Sequence, residues 1–542
     1  MAILTTVWKW RGATGNRFLA LAGIAVLVAL ACSPRSAKAG QCQNLRDLTI
    51  PEVTIQSALN VPAGSFTVPN SKFTFAGLPA FCRVVAVATP MPDSRIKIEI
   101  WIPSRSKWNG RFQATGNGGY SGNLEYGAMV DALRMGDATA GTNTGHSGGD
   151  LKFAVGHPEK IVDWGYRAIH VMTQTAKLVI RDDTGRFPDY SYFNSCSTGG
   201  GQALSEAQRF PADYNGILAG DPGNYRTDLN AEFLWAYAAD HASAHSNLTP
   251  EKLELLHHAA IADCDALDGM RDGIISDPLA CHFDPVVLEC KTGDGPNCLT
   301  KGQVRTARAI YDGIRVDGRQ IYPGFEPGSE IVPGEPAFLG SWRAYLVGLS
   351  HPRRIDFWKY WVFNDPNWDW RTFNYRRDLA YADVKLAAVN ATSPDLNAFW
   401  KDGGKLILYH GWADPVVPPK QSIEYVDSIA ARMGQNRVNQ FLRLYLVPGM
   451  GHCGGGYGPL PAGNRFGPQA ASMKELQNPD DDFFAALKQW VEKGVAPKRI
   501  LASQTLPSGA LRTRPICPYP SVAKWRGKGS TNNASNFACV VK

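Results

Sequence analysis

The sequence predicts an α/β protein: a mostly parallel sheet, covered by helices on both faces and interrupted by one large insertion. Two observations support this. Continuous apolar runs that end in glycine-rich turns recur at 95–104, 110–116, 166–172, 190–195, 216–219, 405–409 and 441–447, with helical stretches between them. Such runs suit strands buried on both faces. From 221 to 401 the character changes to four cysteines, clustered acids and an aromatic stretch from Phe357 to Trp370. With 542 residues and 44% hydrophobic composition, the chain is long enough for one large domain plus a substantial inserted one. The expected organisation is a leader at 1–39, a sheet domain built from 40–220 and 402–542, and a lid at 221–401.

The leader carries Lys9, Arg11, Arg17, Arg35 and Lys38 with no acid, then an apolar run from Phe18 to Ala31, and Ala37-Lys38-Ala39 before Gly40. That is the layout of a cleavable export signal. The apolar run falls short of the ~20 residues a membrane-spanning helix needs, and Ala29-Leu30-Ala31 is a poor lipid-attachment signal before Cys32. A soluble secreted or periplasmic protein is therefore expected. Removing those five cations lowers the formal charge from +7 to +2, so charge argues for neither a nucleic-acid nor a membrane partner.

Loss of Cys32 leaves ten cysteines, an even number that fits an oxidising compartment. Cys264 with Cys281, Cys290 with Cys298, and Cys517 with Cys539 are natural local pairs, and Cys42, Cys82, Cys196 and Cys453 complete the set. No CxxC occurs, which argues against a thiolate zinc site.

The chemistry is carried by three strand ends. Asn194-Ser195-Cys196-Ser197-Thr198-Gly199-Gly200-Gly201 follows a strand and precedes a helical run. A nucleophile at such a turn needs small neighbours, because its backbone is strained and the chain doubles back closely. Serine 195 replaces the usual first glycine and keeps the steric logic. Lys405 to Tyr409 leads into a turn bearing Asp414, and Leu444 to Val447 into a turn bearing His452. The chain order Ser197, Asp414, His452 is that of α/β-hydrolases. In these roles His452 takes the serine proton and Asp414 orients the imidazole. Because Cys196 precedes the serine and Cys453 follows the histidine, a Ser–His hydrogen bond would bring the two cysteines within disulfide reach. The amide of Thr198, with Gly118 or Gly119 of the glycine-rich segment 116–119, is the expected oxyanion hole. Val416 and Val417 are expected to line the acyl pocket, His146 and His410 to make structural hydrogen bonds, and the aromatics 357–370 to pack the lid.

With these elements in place the chain resembles the tannase and feruloyl esterase family. The likeness extends to Trp108-Asn109-Gly110-Arg111-Phe112, Thr144-Gly145-His146 and Phe363-Asn364-Asp365-Pro366. It implies an α/β-hydrolase fold with an inserted lid, and hydrolysis of small esters of aromatic acids, hydroxycinnamic or gallic, through an acyl-serine. The implied ester is either free or attached to a plant polymer. The segment Cys264 to Ile274 looks like that family's structural calcium loop, which implies the side chains of Asp265, Asp268 and Asp272 and the carbonyls of Met270 and Ile274 as ligands; hard cations favour such oxygen donors. No arginine stands out for a free substrate carboxylate, which disfavours terephthalate monoesters such as mono(2-hydroxyethyl) terephthalate. A binding protein for aromatic acids or glycans on the same scaffold is the other class of function, and the complete triad argues against it.

Overall fold

A computed structural model describes residues 42–336, 338–465 and 471–541. The expected export signal, its cleavage point before Gly40 and Cys32 lie outside the described residues. Nine strands form the central sheet: β1 (Val53–Val61), β2 (Phe81–Ala88), β3 (Ile96–Pro103), β4 (Arg111–Ala114), β5 (Ala138–Thr142), β6 (Tyr190–Cys196), β7 (Gly216–Gly220), β8 (Lys405–Gly411) and β9 (Leu442–Val447). Their spatial order is β1-β2-β3-β5-β4-β6-β7-β8-β9. The first three pairings, as far as β3 with β5, are antiparallel. The remaining five, from β5–β4 to β8–β9, are parallel. This is the α/β-hydrolase arrangement, and the carboxyl ends of β6, β8 and β9 open on one edge.

Helices cover both faces. On one side Ala168–Thr184 and Lys420–Met433 present Ile169, Met172, Ala176, Val179, Ile423, Val426 and Ile429 to the sheet core. On the other, Phe483–Lys493 packs Phe483, Phe484, Leu487 and Trp490 against Tyr192, Ile407, Tyr409 and Tyr445. The strand expected at 166–172 is the start of the helix Ala168–Thr184. Its buried residues Ile169, Met172, Ala176, Val179 and Ile180 recur at helical spacing, and the short apolar run concealed that period. The place taken from it in the sheet belongs to β5, Ala-Thr-Ala-Gly-Thr, whose small residues carry little strand signal.

Residues 221–404 leave the sheet after β7 and return at β8, giving the helices Arg226–Asp240, Pro250–Cys264, Lys301–Asp312 and Arg377–Lys385. They have their own apolar cluster, which includes Trp342, Phe357, Trp358 and Trp361 and extends to Tyr120 and Trp164 of the sheet portion. The aromatic stretch is thus largely core, as expected.

Among the described residues there are five disulfides: Cys42–Cys82, Cys196–Cys453, Cys264–Cys281, Cys290–Cys298 and Cys517–Cys539. They fit an oxidising compartment. Among the described residues no helix is long and apolar enough to cross a membrane.

One buried carboxylate ties the antiparallel edge together. Glu99 on β3 is fully buried and accepts from Arg83 Nε and Nη2 at 2.6 and 2.9 Å, from Trp101 Nε1 at 2.8 Å and from the Tyr126 hydroxyl at 3.0 Å. Removing one partner of a buried ion pair leaves the other uncompensated. Glu99→Ala is therefore expected to cost about 3–5 kcal/mol, read as a lowered midpoint in denaturant unfolding; a loss below about 0.5 kcal/mol would contradict this account.

Candidate active site

β6 ends at Cys196, and the helix Thr198–Arg209 begins one residue after Ser197. Ser197 sits at the tip with φ 64° and ψ −124°, a conformation in which few residues other than glycine are found. Its surroundings explain the small residues. A methyl at Gly199 would meet Ser195 Oγ at 1.9 Å, one at Gly200 the Gly220 carbonyl at 2.3 Å, and one at Gly116 the Gly199 Cα at 2.7 Å. The Ser197 carbonyl accepts from the Gly223 amide, and its own amide donates to the Gly220 carbonyl, so the strained turn is anchored to the end of β7.

The three predicted residues meet. His452 Nε2 lies 2.8 Å from Ser197 Oγ, and His452 Nδ1 lies 2.7 Å from Asp414 Oδ2. Asp414 is fully buried, and His452 is 3% exposed. The other Asp414 oxygen accepts the amide N–H groups of Val416 and Val417 at 2.7 and 3.0 Å. These two valines are buried in the apolar cluster of the insertion, and their evident contribution is to hold the carboxylate. Cys196 and Cys453 are bridged with a Cα separation of 5.9 Å, tying the end of β6 to the turn after β9.

The sequence did not reveal a ring of further carboxylates and one histidine. His410 Nε2 is 3.2 Å from Asp414 Oδ2 and 3.7 Å from Asp221 Oδ1, and its Nδ1 is 2.8 Å from Ser422 Oγ. Its Nε2 also lies 3.0 Å from the Val417 carbonyl, so the ring is held by structural hydrogen bonds to Ser422 and Val417 beside the Asp414 carboxylate. Asp221, with φ 37°, is buried and accepts from the Gly411 amide; burial raises its carboxyl to about 7. Glu335, from the insertion, packs beside Gly451 and Gly455; burial raises it to about 8, with opposition from the charge of His452. No local pattern marks these residues, because each reaches the site only through tertiary packing. His146 is structural: its ring bonds the Tyr120 carbonyl and Thr144 and stacks on Phe153.

The loop 116–120 lies against the nucleophile turn, with the Asn117 amide donating to Gln202 Oε1 on the helix Thr198–Arg209. Thr198 opens that helix, where amide N–H groups lack intrahelical acceptors. The Gly118 amide is directed to the Glu125 carboxyl, whereas Gly119 takes φ 53° beside the Arg354 guanidinium.

In the loop 264–274, Asp265 accepts amide N–H groups from Asp272, Gly273 and Ile274. Asp268 accepts from the Met270 amide and the Ser276 hydroxyl. Asp272 Oδ2 takes Arg514 Nη2 at 2.8 Å, while its Oδ1 is buried without a hydrogen-bond partner. Burial raises the Asp268 carboxyl, and the charges of Asp272 and Asp265 add to the rise.

Several known proteins are similar to this chain. A family model described as tannase and feruloyl esterase matches residues 82–540. An uncharacterised esterase of Xanthomonas campestris pv. campestris is 40% identical, over 92% of this chain and 91% of that protein. A probable feruloyl esterase B-2 of Aspergillus terreus is 30% identical, over 96% and 98% respectively. The crystal structure of feruloyl esterase B from Aspergillus oryzae matches with a TM-score of 0.82 at 30% identity, covering 92% of this chain and 99% of that one.

The electrostatics set a pH dependence. Burial lowers the pKa of His452, but the charge and hydrogen bond of Asp414, with the charges of Asp221 and Glu335, outweigh it and raise the imidazole to about 9. A general base must be neutral, so activity is lost as pH falls through the raised value. The acidic limb of kcat/KM is expected well above the ordinary histidine value of ~6.5; a limb at or below that value would overturn the electrostatic account.

Proposed function

Since the chain belongs to the tannase and feruloyl esterase family and is a carboxylic ester hydrolase, we propose that it acts on small esters of hydroxycinnamic or gallic acids, free or attached to a plant polymer, by a serine mechanism. The observation that carries the mechanism is the unbroken chain Ser197 Oγ, His452 Nε2, His452 Nδ1, Asp414 Oδ2, with contacts of 2.8 and 2.7 Å. Ser197 Oγ attacks the ester carbonyl as its proton passes to His452 Nε2, and Asp414 stabilises the imidazolium. The tetrahedral oxyanion is taken by the amides of Thr198 and of Gly118 or Gly119. Collapse breaks the bond to the alcohol, which leaves with the proton from His452, and the acyl group stays on Ser197. Water gives its proton to His452, attacks the acyl-serine, and releases the acid as Ser197 recovers its proton.

The insertion at 221–401 serves as the lid in this reading. Support comes from Glu335 beside Gly451 and Arg354 beside Gly119, both reaching the catalytic edge from the insertion. Release of the leader at Gly40 would deliver the enzyme to the periplasm or beyond the cell, in keeping with its five disulfides.

Calcium in the loop 264–274 is the remaining part of the proposal. The buried, unpartnered Asp272 Oδ1 and the mutual repulsion of Asp268 with Asp272 and Asp265 suit a hard cation. Asp265, Asp268, Asp272 and the carbonyls of Met270 and Ile274 would hold it, and it would supply structural cross-linking. Arg514 is the alternative counter-charge.

Ser197→Ala is expected to abolish turnover of methyl ferulate and methyl gallate, a loss of about 10⁶-fold, with unchanged circular dichroism. Turnover that survives the substitution would reject the serine mechanism. A chelator is expected to lower the melting temperature by several degrees while calcium restores it; an unmoved melting temperature would leave Arg514 and Arg512 as the counter-charges of Asp272.

A further inference from the structure

A second convergence of ligand-bearing side chains lies at the far end of the nucleophile helix. That helix, Thr198–Arg209, carries Glu206 in its last turn. His170 comes from the helix Ala168–Thr184, and Asp213 from the turn that leads into β7. One ligand atom from each, an imidazole nitrogen and an oxygen of either acid, lies within 4.8 Å of the others. His170 Nδ1 is 2.7 Å from Asp213 Oδ2. Its ring stacks on Phe210 with centroids 3.7 Å apart, which fixes the direction of the nitrogen. Gln174 Nε2 donates to the other Asp213 oxygen.

Glu206 is the member that ordinary packing does not explain. Its side chain is fully buried, and no donor among the described residues reaches either carboxyl oxygen. A buried carboxylate without donors is strongly unfavourable. Lys177 donates to the Asp213 carbonyl and lies 4.0 Å from Asp213 Oδ1, so its ammonium is directed at Asp213. Burial raises the Glu206 carboxyl well above its ordinary value, and the charge of Asp213 raises it further. Two acids so placed repel unless a cation or a proton stands between them. A glutamine would fill the same volume and could donate to Asp213, so the position calls for an acid rather than for its shape.

We infer that His170, Glu206 and Asp213 bind a divalent transition-metal ion, with zinc the best match to the donors. An imidazole with two carboxylates suits such a borderline ion, whereas calcium asks for about six to eight oxygens. Zinc bonds of about 2.0–2.2 Å in a tetrahedron hold ligand atoms about 3.4 Å apart, a spacing the three side chains reach by small rotations. His170 is 30% exposed, so the ion would enter past the imidazole and keep a water there. Gln174 would orient Asp213 from the outer shell. The ion would tie the last turn of the nucleophile helix to the helix Ala168–Thr184 and to the approach to β7, holding the helix of Ser197 from its far end. This site stands apart from the esterase reading and from the loop 264–274.

Zinc alone is the probe. The full-length enzyme, stripped with a chelator and returned to buffer with excess calcium, would be titrated with zinc chloride by equilibrium dialysis, with the metal counted per chain. One zinc per chain at micromolar concentrations and a raised melting temperature are expected. His170→Phe, which keeps a ring on Phe210, and Glu206→Gln are each expected to weaken zinc by at least about 10–100-fold, the loss that even an outer-shell partner causes. Cobalt in place of zinc should give the visible absorption of a four-coordinate ion, lost in His170→Phe. A wild type that retains no zinc at submillimolar concentrations leaves the two acids sharing a proton and rejects the site. Zinc binding that either variant leaves untouched places the ion elsewhere and rejects it too. Should Glu206→Gln fail to fold, His170→Phe, altered at the exposed edge, decides the matter through zinc affinity and the cobalt spectrum.

Discussion

The positive φ of Ser197 is the constraint on which the catalytic edge depends. To hold a non-glycine residue at 64°, the turn must be pinned on every side, and the glycines at 116, 199 and 200 exist because the chain passes through space that a methyl would fill. The same sharp turn starts a helix immediately after the serine, which leaves the Thr198 amide without an acceptor in its own helix. The Cys196–Cys453 bridge then fixes the histidine turn to this strained element. A dyad contact of 2.8 Å between residues 255 positions apart thus has a covalent neighbour that limits its drift.

Charge is divided across that turn. On the histidine side, Asp414, Asp221 and Glu335 face His452, with His410 inserted between two of the acids. Beside the loop 116–120 stand Arg226 and Arg354, and among the described residues neither forms an ion pair with a carboxylate. In the proposed mechanism the first group stabilises the imidazolium that forms during reaction. Both sets act in a largely buried setting, where fixed charges are screened less than in water.

The triad was legible because each member sits in a short, local pattern: an apolar run, small residues, then a reactive side chain. The bridge between Cys196 and Cys453 was legible because chain adjacency carries proximity from the dyad to its neighbours. The strand β5 was not, since Ala138–Thr142 is small and weakly apolar, and the segment 166–172 resembles a strand because so short a run hides the helical period of 168–184. Val416 and Val417 hold the Asp414 carboxylate through backbone amides that any residue but proline provides, a role their side chains do not announce. Arg226 and Arg354 lie 128 positions apart, and nothing in their local sequence announces that they share the ring of Tyr120.

The division of labour between sheet and insertion follows from rigidity. Ser197, Asp414 and His452 follow β6, β8 and β9, whose pairings fix the strand ends relative to one another, so the reacting groups inherit the precision of the sheet. Glu335, Tyr345, Arg353 and Arg354 come from the insertion, whose packing is an aromatic cluster rather than a hydrogen-bonded ladder. Substitutions there can change the charge presented to the substrate without moving the triad. In the proposed reading the chemistry resides in the part of the fold that tolerates least change and the selectivity in the part that tolerates more.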